Sequence, residues 1–425
     1  MYLRHPRVFA ATALAFIGLL TISLALVPIA RAQPSVTATI IVGKAPYGIA
    51  YDPAKAEVFA VSYDADTVSV ISDKNNQVVA TINVGDSPAD IAYDSARGEM
   101  FVSNTASSSV SVISDSSNSV VATISVGTDP RGIAYDPALG EVFVSTSTSS
   151  TSGFVYEISD TSNAVVGTIS LPGAATGIAY DSGKGELFVS TGETSVSVIS
   201  ISAGAIVASV AVPGLPRGIT YDPDNGDLYV SNYFTSADSV SVISDSSNSV
   251  VATVPVGPWP FYSTYDSASQ EVYVGDSDSH MVSVIAASNN TVVDTITAGE
   301  YPTAAAYDSA AGEVFVTNFG INTVSVISGA GTSTTVPTTS STTTVTTSTV
   351  SSSSTPPSSS TVSTTPTTAT SSSASQVSAA TTTSSTTSTT TSSIPEFPYG
   401  IISATVVVAV VASYYLARRR WPAPS

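Results

Sequence analysis

The chain has 425 residues, no cysteine, a formal net charge of −19 and only 11% charged residues. Without cysteine there are no disulfides, so noncovalent packing must supply the stability of the fold. The acidic balance excludes nucleic acid and anionic surfaces as natural partners.

Residues 1–32 have the pattern of a secretory signal peptide. Two arginines precede an apolar run over residues 8–29, and the small-x-small sequence ARA precedes Gln33. The pattern predicts export, with a mature chain that starts near Gln33. An uncleaved membrane anchor is the alternative, because the apolar run is long for a signal peptide.

Residues 33–328 contain a sequence repeat. Each copy includes four strand-like segments, in their commonest spellings GIAYD, EVFVSN, SVSVISD and VVATISVG, with turn-forming residues between them. The third segment alternates serine and valine, so one side of its pleat is apolar. Four strands in forty-odd residues are typical of a propeller blade. Seven Tyr-Asp pairs mark the copies, with the tyrosines at Tyr51, Tyr93, Tyr135, Tyr180, Tyr221, Tyr265 and Tyr307.

The seventh copy lacks its fourth strand, and the missing strand is found at the start of the body. VTATIIVG, at residues 36–43, precedes the first Tyr-Asp pair. The sequence therefore predicts an all-β, seven-bladed propeller that an N-terminal strand closes in the last blade, which removes an open sheet edge. A solenoid is the structural alternative, but it has no reason to split one repeat between its two ends.

The repeats resemble a known family. FVSN at residues 101–104, YVSN at 229–232 and FVTN at 315–318 are similar to the YVTN-type β-propeller repeats of archaeal surface-layer proteins and other extracytoplasmic propellers. The resemblance covers all seven blades and implies a propeller in a cell envelope. Blades one, three, four and six depart from it with FAVS, FVST, FVST and YVGD. Function does not follow from this fold, which hosts many activities.

Residues 329–393 are almost wholly serine and threonine and carry no charge. Such a composition predicts a disordered stalk that is O-glycosylated, with an unglycosylated flexible linker as the alternative.

Residues 394–425 combine a short motif, an apolar segment and a basic tail. The uncharged stretch at 401–416, followed by three arginines, predicts a transmembrane helix with a cytoplasmic tail. IPEFPYG at 394–400 resembles the PEF-type C-terminal sorting signals of archaeal surface proteins. The resemblance implies cleavage at this motif and attachment to a lipid.

The body offers few residues for catalysis. His280 is its single histidine, which disfavours haem ligation, multi-histidine metal sites and histidine-based triads. We therefore expect a non-enzymatic protein without a cofactor. The rival class is an extracytoplasmic propeller enzyme of the lactonase or quinoprotein-like type, which would need convergent acids and bases at one end of the channel.

Two acidic segments have the composition of metal loops. Asp276, Asp278 and His280 in GDSDSH would point to one side of an extended loop and form a candidate metal site, against a solvated polar loop as the preferred interpretation. DPDNGD at residues 222–227 fails the spacing of a calcium loop and is interpreted as a hairpin turn.

The distribution of charged residues predicts that one face of the propeller is acidic. Residues 33–328 carry seven Lys or Arg and 31 Asp or Glu. Every blade has an aspartate after its tyrosine and another acid six residues after that tyrosine, in the first hairpin, and we expect the aspartates to cap their own turns. That face predicts at most weak calcium binding. The turns between third and fourth strands on the same face add Asp73, Asp115, Asp160 and Asp245.

The opposite face carries the variable residues. Four positions before each tyrosine stand Tyr47, Ala89, Arg131, Thr176, Arg217, Phe261 and Thr303, and adjacent loops add Trp259, Tyr262, Tyr233, Phe234 and Phe319. Aromatic and arginine side chains at a ring mouth are typical of a carbohydrate, peptide or protein site, with rim packing as the equal alternative. Tyr47, Arg131, Arg217, Trp259, Phe261, Tyr233 and Phe234 are the candidate ligand-binding residues. Asn289 begins the body's one N-glycosylation sequon.

These observations predict a non-catalytic propeller on the extracellular face of the cell membrane. Its partners would be other envelope proteins, glycans or further copies of itself, and a C-terminal helix or an attached lipid would hold it to the membrane. Lattice building and ligand capture both remain open.

Overall fold

The computed structural model describes residues 33–192, 194–234 and 238–329. They form seven four-stranded antiparallel sheets, one for each predicted blade. Blade one comprises β2 (Pro46–Asp52), β3 (Glu57–Ser62), β4 (Thr67–Ser72) and β5 (Gln77–Asn83). Blade two comprises β6 (Pro88–Asp94), β7 (Glu99–Asn104), β8 (Ser109–Ser114) and β9 (Ser119–Ser125). Blade three comprises β10 (Pro130–Asp136), β11 (Glu141–Ser149), β12 (Ser152–Ser159) and β13 (Ala164–Leu171).

The next three blades repeat the order. Blade four comprises β14 (Ala175–Asp181), β15 (Glu186–Thr191), β16 (Ser195–Ser200) and β17 (Ala205–Ala211). Blade five comprises β18 (Leu215–Asp222), β19 (Asp227–Tyr233), β20 (Ser239–Ser244) and β21 (Ser249–Pro255). Blade six comprises β22 (Pro260–Asp266), β23 (Glu271–Asp276), β24 (Met281–Ala286) and β25 (Thr291–Thr297), with a 3₁₀ turn at Ser277–Ser279.

Blade seven confirms the predicted closure. It comprises β26 (Pro302–Asp308), β27 (Glu313–Asn318), β28 (Thr323–Ser328) and the N-terminal β1 (Ser35–Ile41). β1 pairs antiparallel with β28, and the sheet order is β1-β28-β27-β26. Ile40 of β1 packs in one apolar cluster with Phe315 and Val324 of the same blade. The predicted all-β, seven-bladed propeller is therefore correct.

The hydrophobic core lies between the blades. The first strand of each sheet contacts the first strands of both neighbouring sheets and lines the central channel, while the fourth strand is exposed at the rim. One core cluster, for example, joins Phe101 and Val110 of blade two to Ile133 and Val142 of blade three. Because both faces of a blade are covered by neighbours, the serine side of SVSVIS is buried together with the valine side.

In blades two, three, four and seven, the serine or threonine at the third position of the FVSN motif hydrogen-bonds to the next blade. Ser103 Oγ accepts from the backbone N–H of Asp90 and donates to the carbonyl of Arg131 in blade three, at 2.5 Å. Ser145 and Ser190 make the same kind of bond, and so does Thr317 to the carbonyl of Tyr47, which joins blade seven to blade one. These bonds fix the backbone at the residues that face the channel mouth.

The asparagine of the same motif holds its own blade. Asn104 Nδ2 donates to Ser111 Oγ on the third strand at 3.0 Å, and Asn318 donates to Ser325 at 2.9 Å. In blade four Thr191 exchanges a hydrogen bond with Ser197 at 2.9 Å instead. The blades whose motif differs from FVSN therefore still carry a polar side chain at this buried position.

The Tyr-Asp pair joins blades at the opposite face. Oδ1 of Asp94 accepts from the backbone N–H of Ala96 at 2.8 Å, and the corresponding aspartate forms this turn in all seven blades. Each tyrosine hydroxyl lies beside the aspartate of the preceding blade. Burial and the neighbouring Asp136 raise the pKa of Tyr180 to about 12. The predicted turn caps are confirmed, but these seven aspartates are buried and do not form the acidic surface.

The outer strands are interrupted by bulges. In β5 the register shifts between the partners of Val70 and Ile71, which leaves Val79 unpaired and exposed at the rim. The same shift occurs in the fourth strand of every blade, β1 included. Bulges of this kind twist an edge strand and disfavour pairing with another molecule.

Within the described part of the chain no helix is long and apolar enough to cross a membrane. The predicted signal peptide, membrane segment and sorting motif, and the stalk after Gly329, lie outside the described residues.

Closure by β1 predicts unequal effects of two neighbouring substitutions. Ile40 is 5% exposed and Ile41 is 79% exposed. Ile40→Ala should lower the free energy of unfolding by about 2–5 kcal/mol because it opens a cavity in the core of blade seven. The control Ile41→Ala should change it by less than about 0.5 kcal/mol. Urea denaturation of both variants measures this, and equal effects would contradict the packing of β1 in the ring.

Candidate ligand-binding face

The variable residues lie at one mouth of the channel. Each follows the start of an inner strand, and the backbone at Arg131, Arg217 and Tyr47 is fixed by the serine and threonine bonds described above. The side chains at these positions lie at the channel mouth. They differ in chemistry from blade to blade, whereas the backbone of the inner strand is the same in each. This is the face opposite the Tyr-Asp turns.

The predicted aromatic residues form one continuous cluster across blades five, six and one. Tyr233 contacts Trp259 with ring centroids 5.8 Å apart, and contacts Phe261 edge to face at 5.5 Å. Tyr47 contacts Phe261 at 5.5 Å. Phe234 stacks on Tyr233 at 5.9 Å. Blade seven carries Thr303 at the equivalent position but adds Phe319 from its loop, whose ring centroid lies 6.2 Å from that of Tyr47.

Burial divides the cluster into a floor and a surface. Tyr47 is 1% exposed and Phe261 is fully buried, so both act as packing beneath the mouth. Phe234 is 63% exposed, and Trp259 is half-buried beside it at 5.9 Å between ring centroids. Phe234 and Trp259 therefore present an aromatic platform to solvent, whereas Tyr47 and Phe261 are buried beneath it.

Of the two predicted arginines, Arg217 lies beside this platform, and the buried Arg131 lies close enough to Arg217 to act on it electrostatically. The guanidinium carbon of Arg217 lies 5.0 Å from the centroid of the Tyr233 ring, a cation–π contact. Arg131 donates from Nε to Asp129 Oδ2 at 2.9 Å. Burial and the positive charge of Arg131 lower the pKa of Arg217 to about 10. The guanidinium of Arg217 therefore stays charged at neutral pH, so the mouth combines aromatic and cationic groups.

Asp90 is a channel residue that the sequence reasoning missed. At its position in the inner strand blades one, three, four and five carry glycine, and a Cβ on Gly48 would lie 2.9 Å from Asp90 Oδ1. The carboxylate accepts from the backbone N–H groups of Ile91 at 2.9 Å and Ile133 at 3.3 Å. Asp90 is only partly buried, yet the surrounding protein desolvates its carboxylate and raises its pKa to about 7.

Tyr262 occupies the same inner position in blade six and was noted only as a loop aromatic. Burial and the charge of Asp90 raise its pKa. An alignment of the repeats at the Pro-x-Gly triplet that begins the inner strand would have found both residues. Blade two carries PAD and blade six carries PFY in place of this triplet.

The predicted loop geometry at Asp276, Asp278 and His280 is wrong. The segment forms a 3₁₀ turn at Ser277–Ser279, so the three side chains do not point to one side. Asp276 is fully buried and accepts from Ser283 Oγ at 2.6 Å, in the place that asparagine takes in other blades. Asp278 and His280 are exposed. No group of three or more His, Asp or Glu side chains in the described residues is arranged to hold a metal ion.

The predicted glycosylation residue Asn289 lies in the exposed turn between β24 and β25, on the Tyr-Asp face. Its Oδ1 accepts from Thr291 Oγ1 at 2.8 Å, within the sequon itself. The third–fourth turns lie on this face as predicted, since Asp73 N donates to the carbonyl of Ala56 in the first hairpin.

Comparison with known proteins supports the fold. No protein-family model matches the chain, and no curated protein matches it. Among solved structures, Kuenenia stuttgartiensis Hydrazine Synthase is similar, with a TM-score of 0.59 and 18% sequence identity over 66% of this chain and 95% of that chain. At this identity the likeness concerns the propeller fold alone.

The raised pKa of Asp90 predicts that the difference in stability between wild type and Asp90→Asn depends on pH. Below about pH 4 its carboxyl is neutral in the folded and unfolded states, and between about pH 4 and 7 only the unfolded state loses the proton. Ionisation of Asp90 therefore destabilises the fold progressively up to pH 7. The melting temperature of Asp90→Asn relative to wild type should rise across this window by about 2 °C or more, for a free-energy change on the order of 1 kcal/mol. Calorimetry from pH 4 to 8 measures it, and a difference that is constant with pH would contradict the assignment.

Proposed function

We propose that this protein is a non-catalytic binding module of a cell envelope, which captures glycans or proteins on the face formed by Trp259, Phe234 and the two arginines. The exposed aromatic platform beside Arg217 is the observation that carries the proposal. Exposed aromatic and arginine side chains dominate recognition surfaces, because they bury large areas at low entropic cost.

The architecture of the site favours binding over packing. Phe234 and Trp259 rest on buried aromatic residues, and the backbone beneath them belongs to closed sheets. Their orientation is therefore fixed before a ligand arrives, which lowers the entropic cost of binding. The acidic remainder of the surface repels anionic partners that the arginines alone would attract.

The exit of the chain supports display of this face. β28 runs in the direction of the other third strands, and Ile327 pairs with Val314 next to the β26–β27 hairpin. Gly329 therefore leaves the propeller on the Tyr-Asp face, opposite the aromatic platform. A tether that continues from there would hold the platform away from its point of attachment.

The sequence supplies the remaining elements of the proposal. A signal peptide at 1–32 exports the chain, and the Ser/Thr-rich segment at 329–393 forms an O-glycosylated stalk. The segment at 394–425 anchors it through a transmembrane helix or a lipid attached at the PEF-type motif. The similarity of the repeats to YVTN-type repeats supports the proposal that the protein is one of the surface-layer or related envelope proteins.

The binding proposal predicts graded losses on a glycan array and on isolated envelope fractions. Phe234→Ala should weaken binding by about tenfold, which corresponds to about 1.4 kcal/mol, and should leave folding intact because the ring is exposed. Arg217→Gln should weaken it at least as much.

The matched control for Phe234→Ala is Val121→Ala, an exposed apolar residue of the rim. It should bind as wild type does. The proposal fails if the wild-type chain retains no ligand, or if all three variants bind equally well.

The display proposal predicts where the propeller is found in cells. Protease added to intact cells should cleave the stalk and release the folded propeller, since a closed β-ring resists digestion. Deleting residues 394–425 should send the protein into the medium. Recovery of the intact full-length chain from the cytoplasmic fraction would count against export.

A further inference from the structure

One half of the channel mouth is aromatic. Tyr47 contacts Tyr63 of the same blade with ring centroids 5.9 Å apart, and it also contacts Phe319 of blade seven. The rings continue over blades six and five through Phe261 and Tyr233, in the cluster described above. Aromatic side chains therefore form an arc over blades five, six, seven and one.

The other half of the mouth carries small side chains and a cation. At the position of the aromatic residues, blades two and four carry Ala89 and Thr176, and blade three carries Arg131 between them. A Cβ on Gly173 would lie 2.7 Å from the backbone nitrogen of Gly192, so the two turns of blade four pack backbone to backbone. Small residues therefore separate the arginine of blade three from the arginine of blade five.

The two arginines converge on the channel. Burial raises the pKa of Tyr262, on the inner strand of blade six, and three charged groups of blades two, three and five act on its hydroxyl, namely Asp90, Arg131 and Arg217. Asp129 lies within electrostatic reach of both guanidiniums. Side chains from four blades that act on one hydroxyl must lie close together, so the mouth gathers cationic groups beside its aromatic arc.

One of these guanidiniums is linked to the solvent-facing platform. The guanidinium carbon of Arg217 lies 5.0 Å from the centroid of Tyr233, whose ring lies 5.8 Å from that of Trp259. A single aromatic ring therefore separates the cation from the half-buried indole. This arrangement suits two linked sugars, because one ring can stack its C–H face on the indole while its neighbour reaches the arginine.

The chemistry of the arginines selects a planar anion. A guanidinium donates two parallel hydrogen bonds to a carboxylate, and such charge-assisted bonds are stronger than neutral ones. Residues 33–328 carry 31 acidic side chains against seven basic ones, so their field repels polyanions. A ligand with one carboxylate meets less of this repulsion, since salt screens charges beyond about 8–10 Å. The mouth therefore fits a molecule that combines an apolar face with one carboxylate.

We propose that the channel mouth binds a glycan that carries a hexuronic acid. The carboxylate lies between Arg131 and Arg217, and the neighbouring sugar stacks on Trp259 beside Phe234. This inference rests on the proposed function, because it names the ligand class of the same face. A peptide with a free C-terminal carboxylate offers the same anion, but sugars also supply the flat C–H face that an indole stacks on.

The test compares two immobilised disaccharides that differ in one group. One ends in glucuronic acid and the other in glucose, so a carboxylate replaces a hydroxymethyl group on the same ring. The full-length wild type should bind the acidic disaccharide more tightly by about tenfold, which corresponds to about 1.4 kcal/mol. Added salt should reduce this preference, because the ligand carboxylate is attracted by exposed and partly buried cations.

Substitutions at the mouth should separate the carboxylate from the rest of the ligand. Arg217→Gln should bring the ratio of the two affinities close to one, and Arg217→Lys should keep part of it, because the charge remains without the paired donors. Phe234→Ala should weaken binding of both disaccharides and keep the ratio.

The matched control is Arg97→Gln, which removes one positive charge from the opposite face. Arg97 Nε pairs there with Glu99 Oε2 at 3.2 Å, in the first hairpin of blade two. This variant should keep the ratio of wild type. An equal fall of the ratio in Arg97→Gln and Arg217→Gln would overturn the inference, because net charge would then explain the preference.

Two further results would overturn the inference while the proposed function stands. The first is equal affinity of wild type for the two disaccharides with loss of both in Phe234→Ala, which would indicate a site for neutral sugars. The second is tighter binding of a peptide with a free C-terminal carboxylate than of the acidic disaccharide, which would indicate a peptide site. Failure of wild type to retain either disaccharide, the peptide or any envelope glycan would contradict the inference and the proposed function together.

Discussion

The contact between the faces of neighbouring blades is the constraint on which this structure depends. A single four-stranded sheet of this sequence cannot bury either of its faces, since valines and serines of its inner strands are both covered by other blades. The inner strands contact each other around the channel, and side chains fasten the blades at both ends. Ser103 bonds to the carbonyl of Arg131 at one face, and Tyr93 lies beside Asp52 at the other. Each blade is therefore stable only as a member of a closed ring.

The same contact explains where the chain is free to vary. The serine bonds hold the carbonyl of a channel-mouth residue and place no demand on its side chain. Arginine, threonine and tyrosine consequently occupy equivalent positions without disturbing the frame. On the other face, turns that differ by one residue can open a space, as Ala287 does between blades five and six. The candidate ligand-binding face is thus a local departure from a repeat whose backbone is unchanged.

Much of the fold was predictable because it is periodic. Strand order, blade number and closure by residues 36–43 follow from the repeat and its split copy, and the turn caps follow from the chemistry of aspartate. The side-chain environment was harder to predict. GDSDSH suggests an extended loop, yet Asp276 turns inward because it occupies the asparagine position of that blade, where Ser283 is its buried polar partner. Asp90 was missed because its effect depends on the glycines that surround it in three dimensions.

The position of β28 has a mechanical consequence. The strand lies between β27 and β1, hydrogen-bonded on both sides, and the chain continues from its end at Gly329. A pulling force applied beyond Gly329 acts along the strand, so two ladders of hydrogen bonds would have to break together in shear. A final strand at an open sheet edge would have only one ladder to resist the same load. Pairing with the N-terminal strand β1 thus allows the ring to resist a force applied at the point where the chain leaves it.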